Sequence, residues 1–292
     1  MIDKIKGLLS AFAEERKHPI LLLNLDEVTK FGALELQSKL GNKHFVELDV
    51  VLQTPGGDID AAYLIVQLIK KKAAKVNIFV PLYAKSAGTL ICLVADRLYL
   101  SDLSELGPLD TQIPEERDGS PVTYISALNG FKALEQVQLH SLETLNITTQ
   151  LLSRSGLKMA EAIHLASEFT GNTSGQLYGR LDPMRIGEYA RALDIGERYG
   201  VKVLTNYQGW TNEEAKRTVN QLVRGYPHHG YVIDAYELER LKLPHEEIPS
   251  NLLAACTALR DEMLKLEDDM IILTEPKTGW SAAKLKEGKD EH

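Results

Sequence analysis

Apolar residues at helical spacing (Ile2, Ile5, Leu8, Leu9 and Phe12) predict a helix over residues 2–15. The run 19–25 is apolar after its proline save for Asn24 and too short for a helix, so it predicts a buried strand, and 46–53 predicts a second. From Asp58 to Lys72 the period returns to 3.6, with Ile59, Ala62, Ile65, Val66 and Ile69 on one face. A strand over 76–83, a helix over 86–95 and a short strand over 98–100 follow. Strand and helix alternating at this spacing predict βαβ units around a parallel sheet.

Beyond residue 113 the pattern changes. The polar stretch 114–121 predicts a loop, 122–154 and 158–168 predict helices, and the glycine-rich stretch 171–183 predicts another loop. Helices are expected over 184–199, 212–222 and 235–241, with a turn at Gly225-Tyr226-Pro227-His228-His229-Gly230. The amphipathic run 252–273 predicts one closing helix, placed at 250–275, and 276–292 reads as a mobile tail. The expected domain plan is a catalytic core from 1–113 and 225–243, with a mainly helical insertion or oligomerisation region over 114–224.

Composition narrows the function classes. With 44% hydrophobic and 25% charged residues the chain is ordinary for a globular protein. A net charge of −8 argues against a general nucleic-acid binder, whose basic face must neutralise phosphates. No run approaches the roughly 18 apolar residues of a membrane helix. Residues 1–19 are charged throughout, so no secretory signal is expected and a cytoplasmic location is. Cys92 and Cys256 are too few for a disulfide framework or a cysteine zinc site. The pair His228-His229 lacks the companions of a metal motif, and no metal or cofactor is expected.

Two turns carry the candidate chemistry. Thr54-Pro55-Gly56-Gly57 follows one strand, and its glycines let backbone N–H groups approach a ligand closely beside the positive end of the next helix. Lys85-Ser86-Ala87-Gly88-Thr89 follows another strand and puts a serine at a helix start. Ser86 there is either an N-cap or a nucleophile whose oxyanion the Ala87 amide helps to bind.

In order, Thr54-Pro55-Gly56-Gly57, the motif at Ser86, a helix ending Ala95-Asp96-Arg97, and Leu106-Gly107-Pro108-Leu109-Asp110 resemble the Clp-protease/crotonase superfamily. Within it they resemble the serine dehydrogenase proteinase family, a branch akin to signal-peptide peptidase A. The strong part covers 48–113, and His229-Gly230-Tyr231-Val232-Ile233-Asp234 is a weaker echo of the closing segment. The resemblance implies an α/β fold, a Clp/crotonase-like core of repeated ββα units with helical additions. It implies a serine endopeptidase that forms an acyl-enzyme on Ser86, acting without ATP or fed by a partner, with an oxyanion hole from Gly56, Gly57 and Ala87. It also implies a peptide or protein substrate and a trimer-based homo-oligomer.

The base is open at this level. The histidine expected about 25 residues after the serine is missing, since no histidine lies between His44 and His140 and that spacing falls at Asp110. One arrangement uses Asp110 as orienting carboxylate and His229 as base, because a triad is defined by geometry and not chain order. The other is a serine–lysine dyad using Lys132. A crotonase-like acyl-thioester enzyme and a non-catalytic oligomeric scaffold are the alternatives of the same fold.

Overall fold

A computed structural model describes residues 1–115 and 123–277. They fall into two compact units, Met1–Leu109 with the chain from Ile195 onward, and Asp110–Asp194.

The first unit is built on a six-stranded sheet in the order β10-β1-β2-β3-β5-β9. Its strands are β1 (Ile20–Asn24), β2 (Phe45–Gln53), β3 (Ala73–Val80), β5 (Arg97–Leu100), β9 (His245–Glu247) and β10 (Met270–Thr274). All neighbours are parallel except β10, which runs antiparallel to β1. Every residue of β1 is buried, including Asn24, the expected state of a largely apolar strand inside a sheet. The α/β class anticipated from the alternation is therefore what is found.

Helices α1 (Ile2–Arg16), α2 (Lys30–Leu40), α3 (Ile59–Lys72) and the six-residue α4 (Ala87–Cys92) belong to this unit. Asp58 caps α3 by accepting from the amides of Asp60 (2.8 Å) and Ala61 (3.3 Å). Ile5, Leu9 and Phe12 of α1 pack with Ile20, Leu22, Phe79 and Tyr99, the Phe12 ring edge-on to Phe79 at 5.1 Å. A second, small ladder crosses the carboxyl end of the sheet. There β4 (Tyr83–Ala84) pairs parallel with β6 (Glu105–Leu106), Thr54 bridges to Ala84, and Ile233 bridges to Leu106.

Two expectations fail here. The helix α2 was not anticipated, and the single helix over 250–275 is instead α10 (Ser250–Met263) followed by β10. The acidic step Glu267-Asp268-Asp269 separates them, and Met270-Ile271-Ile272-Leu273-Thr274 completes the free edge of β1.

The second unit holds an antiparallel pair, β7 (Gln112–Glu115) with β8 (Thr123–Ser126), then α5 (Ala127–Arg154) and α6 (Met159–Tyr178). Part of the anticipated loop 114–121 is thus strand, and 116–121 lies outside the described residues, as does most of the anticipated tail. The loop expected over 171–183 is corrected more substantially, because α6 continues to Tyr178. Its buried positions Ala162, Ala166, Thr170 and Ser174 are small and four apart, so one face supports the helix past its glycines. Gly171 and Gly175 face open space, where each costs about 1 kcal/mol relative to alanine.

The helix α7 (Pro183–Tyr207) begins at a proline, and α8 (Asn212–Arg224) and α9 (Ala235–Arg240) belong to the first unit. Thus 195–224, assigned from the sequence to the helical insertion, groups with the core. Among the described residues, no helix is long and apolar enough to cross a membrane.

Candidate active site

Backbone pairing sets Ser86 against the glycine turn. Thr54 N–H donates to Tyr83 O (3.1 Å), and Lys85 N–H donates to Thr54 O (3.0 Å), so the segment after β2 and the segment before α4 run side by side. The two turns meet directly: a Cβ added at Gly56 would stand 2.9 Å from Ser86 Cβ and 3.0 Å from Lys85 O. Gly56 also has φ +120°, a conformation that disfavours any side chain.

Ser86 sits at φ 50° and ψ −114°, outside the regions a non-glycine residue ordinarily occupies. Such a backbone costs on the order of 1–3 kcal/mol and persists only where the surroundings impose it. Although Ser86 holds the N-cap position of α4, its side chain makes no capping hydrogen bond. It is 8% exposed, and among the described residues its hydroxyl has no hydrogen-bond partner. Capping therefore does not account for this serine.

The amides nearby divide into committed and open donors. Gly56 N–H donates to Thr54 Oγ1 (3.2 Å). The amides of Gly57 and Ala87 have no acceptor among the described residues. Gly57 is exposed, lies at φ +142°, and leaves no room for a Cβ, which would meet Val28 N and O at 2.6 Å. The hydroxyl of Thr89 is buried between Ala84 O (2.9 Å) and Gly107 O (2.8 Å) and accepts from Gly107 N–H, fixing the turn below Ser86. Lys85 turns aside to pair with Glu105 at 3.0 Å.

His229 belongs to the same unit, half-buried in the turn after α8. Its segment is tied to the small ladder by Leu106 N–H to Ile233 O (2.9 Å) and the reciprocal bond (3.1 Å). Its neighbour His228 is exposed and lies edge-on to Tyr231, which stacks on Tyr226. Asp110 and Lys132 belong to the other unit. Asp110 is fully buried and accepts a short hydrogen bond from Ser126 Oγ, which in turn caps α5 through the Leu128 and Asn129 amides. Lys132 is half-buried on α5.

Both cysteines are buried and unbridged, and burial pushes the Cys256 thiol up to about 12 and Cys92 higher still. Neither is a nucleophile at neutral pH.

Residues 42–144 match the model of a protein family described as ClpP-like SDH-type serine proteinase. The resemblance read from the sequence is borne out. That stretch of the chain contains the glycine turn, Ser86, Ala87, Asp110 and Lys132. Two curated relatives, both from Methanocaldococcus jannaschii, are named as uncharacterized proteins. MJ0137 is 36% identical over 89 residues, covering 30% of this chain and 31% of its own length. MJ1495 is 38% identical over 66 residues, covering 23% of each. The matches thus span about a third and a quarter of these relatives. Among solved structures, a mutant of the 1510-N membrane-bound stomatin-specific protease is 19% identical, covering 47% of this chain and 63% of its own, at a TM-score of 0.28. The ClpP protease catalytic domain of Plasmodium falciparum is 12% identical, covering 85% and 93%, at a TM-score of 0.39. At such scores no residue role is carried over from either.

Proposed function

We propose that this chain is a serine peptidase that cleaves peptides through an acyl-enzyme on Ser86. The observation that carries the reading is the strained serine itself, buried, free of any capping duty, and pressed against a glycine turn. Ser86 Oγ attacks the scissile carbonyl while its proton passes to the base, and the carbonyl oxygen becomes an oxyanion bound by the Gly57 and Ala87 amides. Collapse breaks the C–N bond, the base returns the proton to the leaving amine, and water then releases the acyl group by the reverse sequence. A fluorophosphonate probe is expected to label the wild type at Ser86 and not Ser86→Ala; equal labelling of both ends the proposal.

For the base we propose His229. Support for His229 is its half-buried position on the segment whose Ile233 bridges to Leu106, the residue that pairs with Ala84. Where nucleophile and base act as a unit, loss of the base costs about as much as loss of the nucleophile, on the order of 10⁶ in kcat. His229→Ala should show a loss of that order in peptide hydrolysis, with Lys132→Ala within about threefold of wild type. The opposite ranking would give the role to Lys132.

The second unit exposes Leu139, Leu142, Ile147 and Leu151 on α5, and Ile163 and Phe169 on α6. So many large apolar side chains on two helices favour burial against further copies of the chain. We propose a trimer-based homo-oligomer. Light scattering should give a mass that is a multiple of three chains, lowered by Leu142→Glu with Phe169→Glu. A monomeric wild type at micromolar concentration would refute the assembly.

A further inference from the structure

Two amides and a serine hydroxyl accept any peptide carbonyl, so selection among peptides has to come from the groups around them. On the Gly57 side those groups are carboxylates. Val28 N–H donates to Gly56 O (2.7 Å) and Asp58 N–H donates to Val28 O (2.8 Å), which draws the turn after β1 against Gly57. A Cβ at Gly57 would lie 2.8 Å from Glu27 Cγ, so the stem of Glu27 lies over that residue. Asp26 stands near Tyr83, whose phenol is pushed up by burial and by the Asp26 charge. Asp58 and Asp60 follow Gly57 directly.

Two of these four acids have structural duties. Asp58 caps α3, and Asp60 accepts from Tyr199 Oη at 2.7 Å. Asp26 and Glu27 have none: both are exposed, and among the described residues neither carboxylate has a hydrogen bond or an ion pair. Lys30, a few residues on, pairs with neither, and Lys202 is held 5.8 Å over the rings of Tyr63 and Tyr199. Acidic side chains alone would mark no site. Here Glu27 lies over Gly57, in the turn whose Gly56 meets Ser86, and that serine, 8% exposed with an unpartnered hydroxyl, and two amides without acceptors independently call for a carbonyl ligand.

The electrostatic consequence is specific. Negative charge beside the Gly57 amide opposes the charge that develops on the bound carbonyl oxygen, and a cationic substrate side chain offsets it. We propose that Glu27, with Asp26, selects peptides carrying arginine or lysine next to the scissile bond. The proposal rests on Ser86 being the nucleophile. Acidic peptides are disfavoured by the same field, and the selectivity weakens with salt because these charges are exposed.

The test uses full-length protein and fluorogenic peptides identical except for arginine, norleucine or glutamate at each position flanking the cleaved bond. At low salt, kcat/KM for the best arginine peptide should exceed that of its norleucine counterpart by about tenfold, an increment of the size two exposed charge pairs supply. The glutamate peptide should rank last. Glu27→Gln should reduce the arginine-to-norleucine ratio at least threefold, Asp26→Asn less, and Glu27→Lys should invert it. A flat ratio in the wild type, or an arginine preference that neither Glu27→Gln nor Asp26→Asn alters, overturns the inference. Fluorophosphonate labelling is read separately on the wild type. Labelled Ser86 with a flat ratio defeats this inference alone, whereas absent labelling defeats the serine mechanism and this inference with it.

Discussion

Ser86→Ala is expected to lower kcat for peptide hydrolysis by about 10⁶-fold, the loss that follows removal of a serine nucleophile from a triad that acts as a unit. The same substitution is expected to leave stability unchanged within about 0.5 kcal/mol, as for a site away from any cap, cavity or buried pair. That second measurement separates the two readings the sequence left open. Were Ser86 an ordinary N-cap, alanine would cost about 1 kcal/mol of stability and no activity. The side chain makes no capping bond, and alanine keeps the Cβ that faces Gly56, so neither the α4 start nor the contact between the turns is disturbed. The backbone strain at φ 50° is the same for alanine as for serine. Urea melts superimposed on wild type, together with lost hydrolysis, are the expected pair of results. Retained hydrolysis would remove Ser86 from the chemistry.

How much of this was legible before the structure depends on how local each signal is. The strands β1, β2 and β3 and the helix α3 are written in contiguous apolar runs or a single apolar face, and they were read with small errors at the ends. The strand β10 was not, because what makes Met270–Thr274 a strand is the open edge of β1, some 250 residues earlier in the chain. The helix α2 escaped because its apolar residues do not keep to one face: Phe31 and Leu34 are exposed while Ala33, Leu36 and Leu40 are buried. The site divides in the same way. The glycine turn and Ser86 could be found from adjacent residues. That Thr54 Oγ1 takes the Gly56 amide and leaves Gly57 open is a matter of side-chain geometry, which no spacing reveals. Thr89 could have been noticed, since it closes the Ser-Ala-Gly-Thr motif, but its bonds to Ala84 and Gly107 depend on the small ladder. Glu27 had no signal, because only the Val28–Gly57 bridge brings it to the site.

The largest stability loss is expected from Asp49→Ala, about 3–5 kcal/mol, the cost of breaking a buried ion pair by removing one partner. Asp49 is fully buried in β2, where Arg16 of α1 reaches it through Nε (2.6 Å) and Nη2 (3.3 Å) and Asn77 Nδ2 through Oδ1 (2.6 Å). His18 Nδ1 lies 3.6 Å away, and Glu47 shares both Asn77 and His18. His18, Glu47 and Asp49 stand close enough to hold a cation, but the Arg16 guanidinium already occupies Asp49, and Lys75 is 3.3 Å from Glu47. The cluster therefore reads as an ion-pair network that fastens α1 to the sheet. Without Asp49, Arg16 keeps its charge over the Phe79 and Tyr99 rings with no carboxylate to balance it. Burial alone would raise the Asp49 pKa, yet the nearby His18 ring and the hydrogen bonds from Arg16 and Asn77 outweigh it and hold the carboxyl below its ordinary value. A depressed folded-state pKa contributes stability that is fully present above the unfolded value of about 3.9 and is lost as pH falls through the folded one. Urea melts from pH 7 down to pH 3 should thus show wild type losing stability in that acid window. Asp49→Asn, already less stable at neutral pH, should lose less there. Pairing Asp49→Ala with Arg16→Met should cost less than the two single changes added, because the double variant leaves no buried charge uncompensated. A loss under about 1 kcal/mol for Asp49→Ala, the size of an exposed pair, would show that the network does not hold the helix to the sheet.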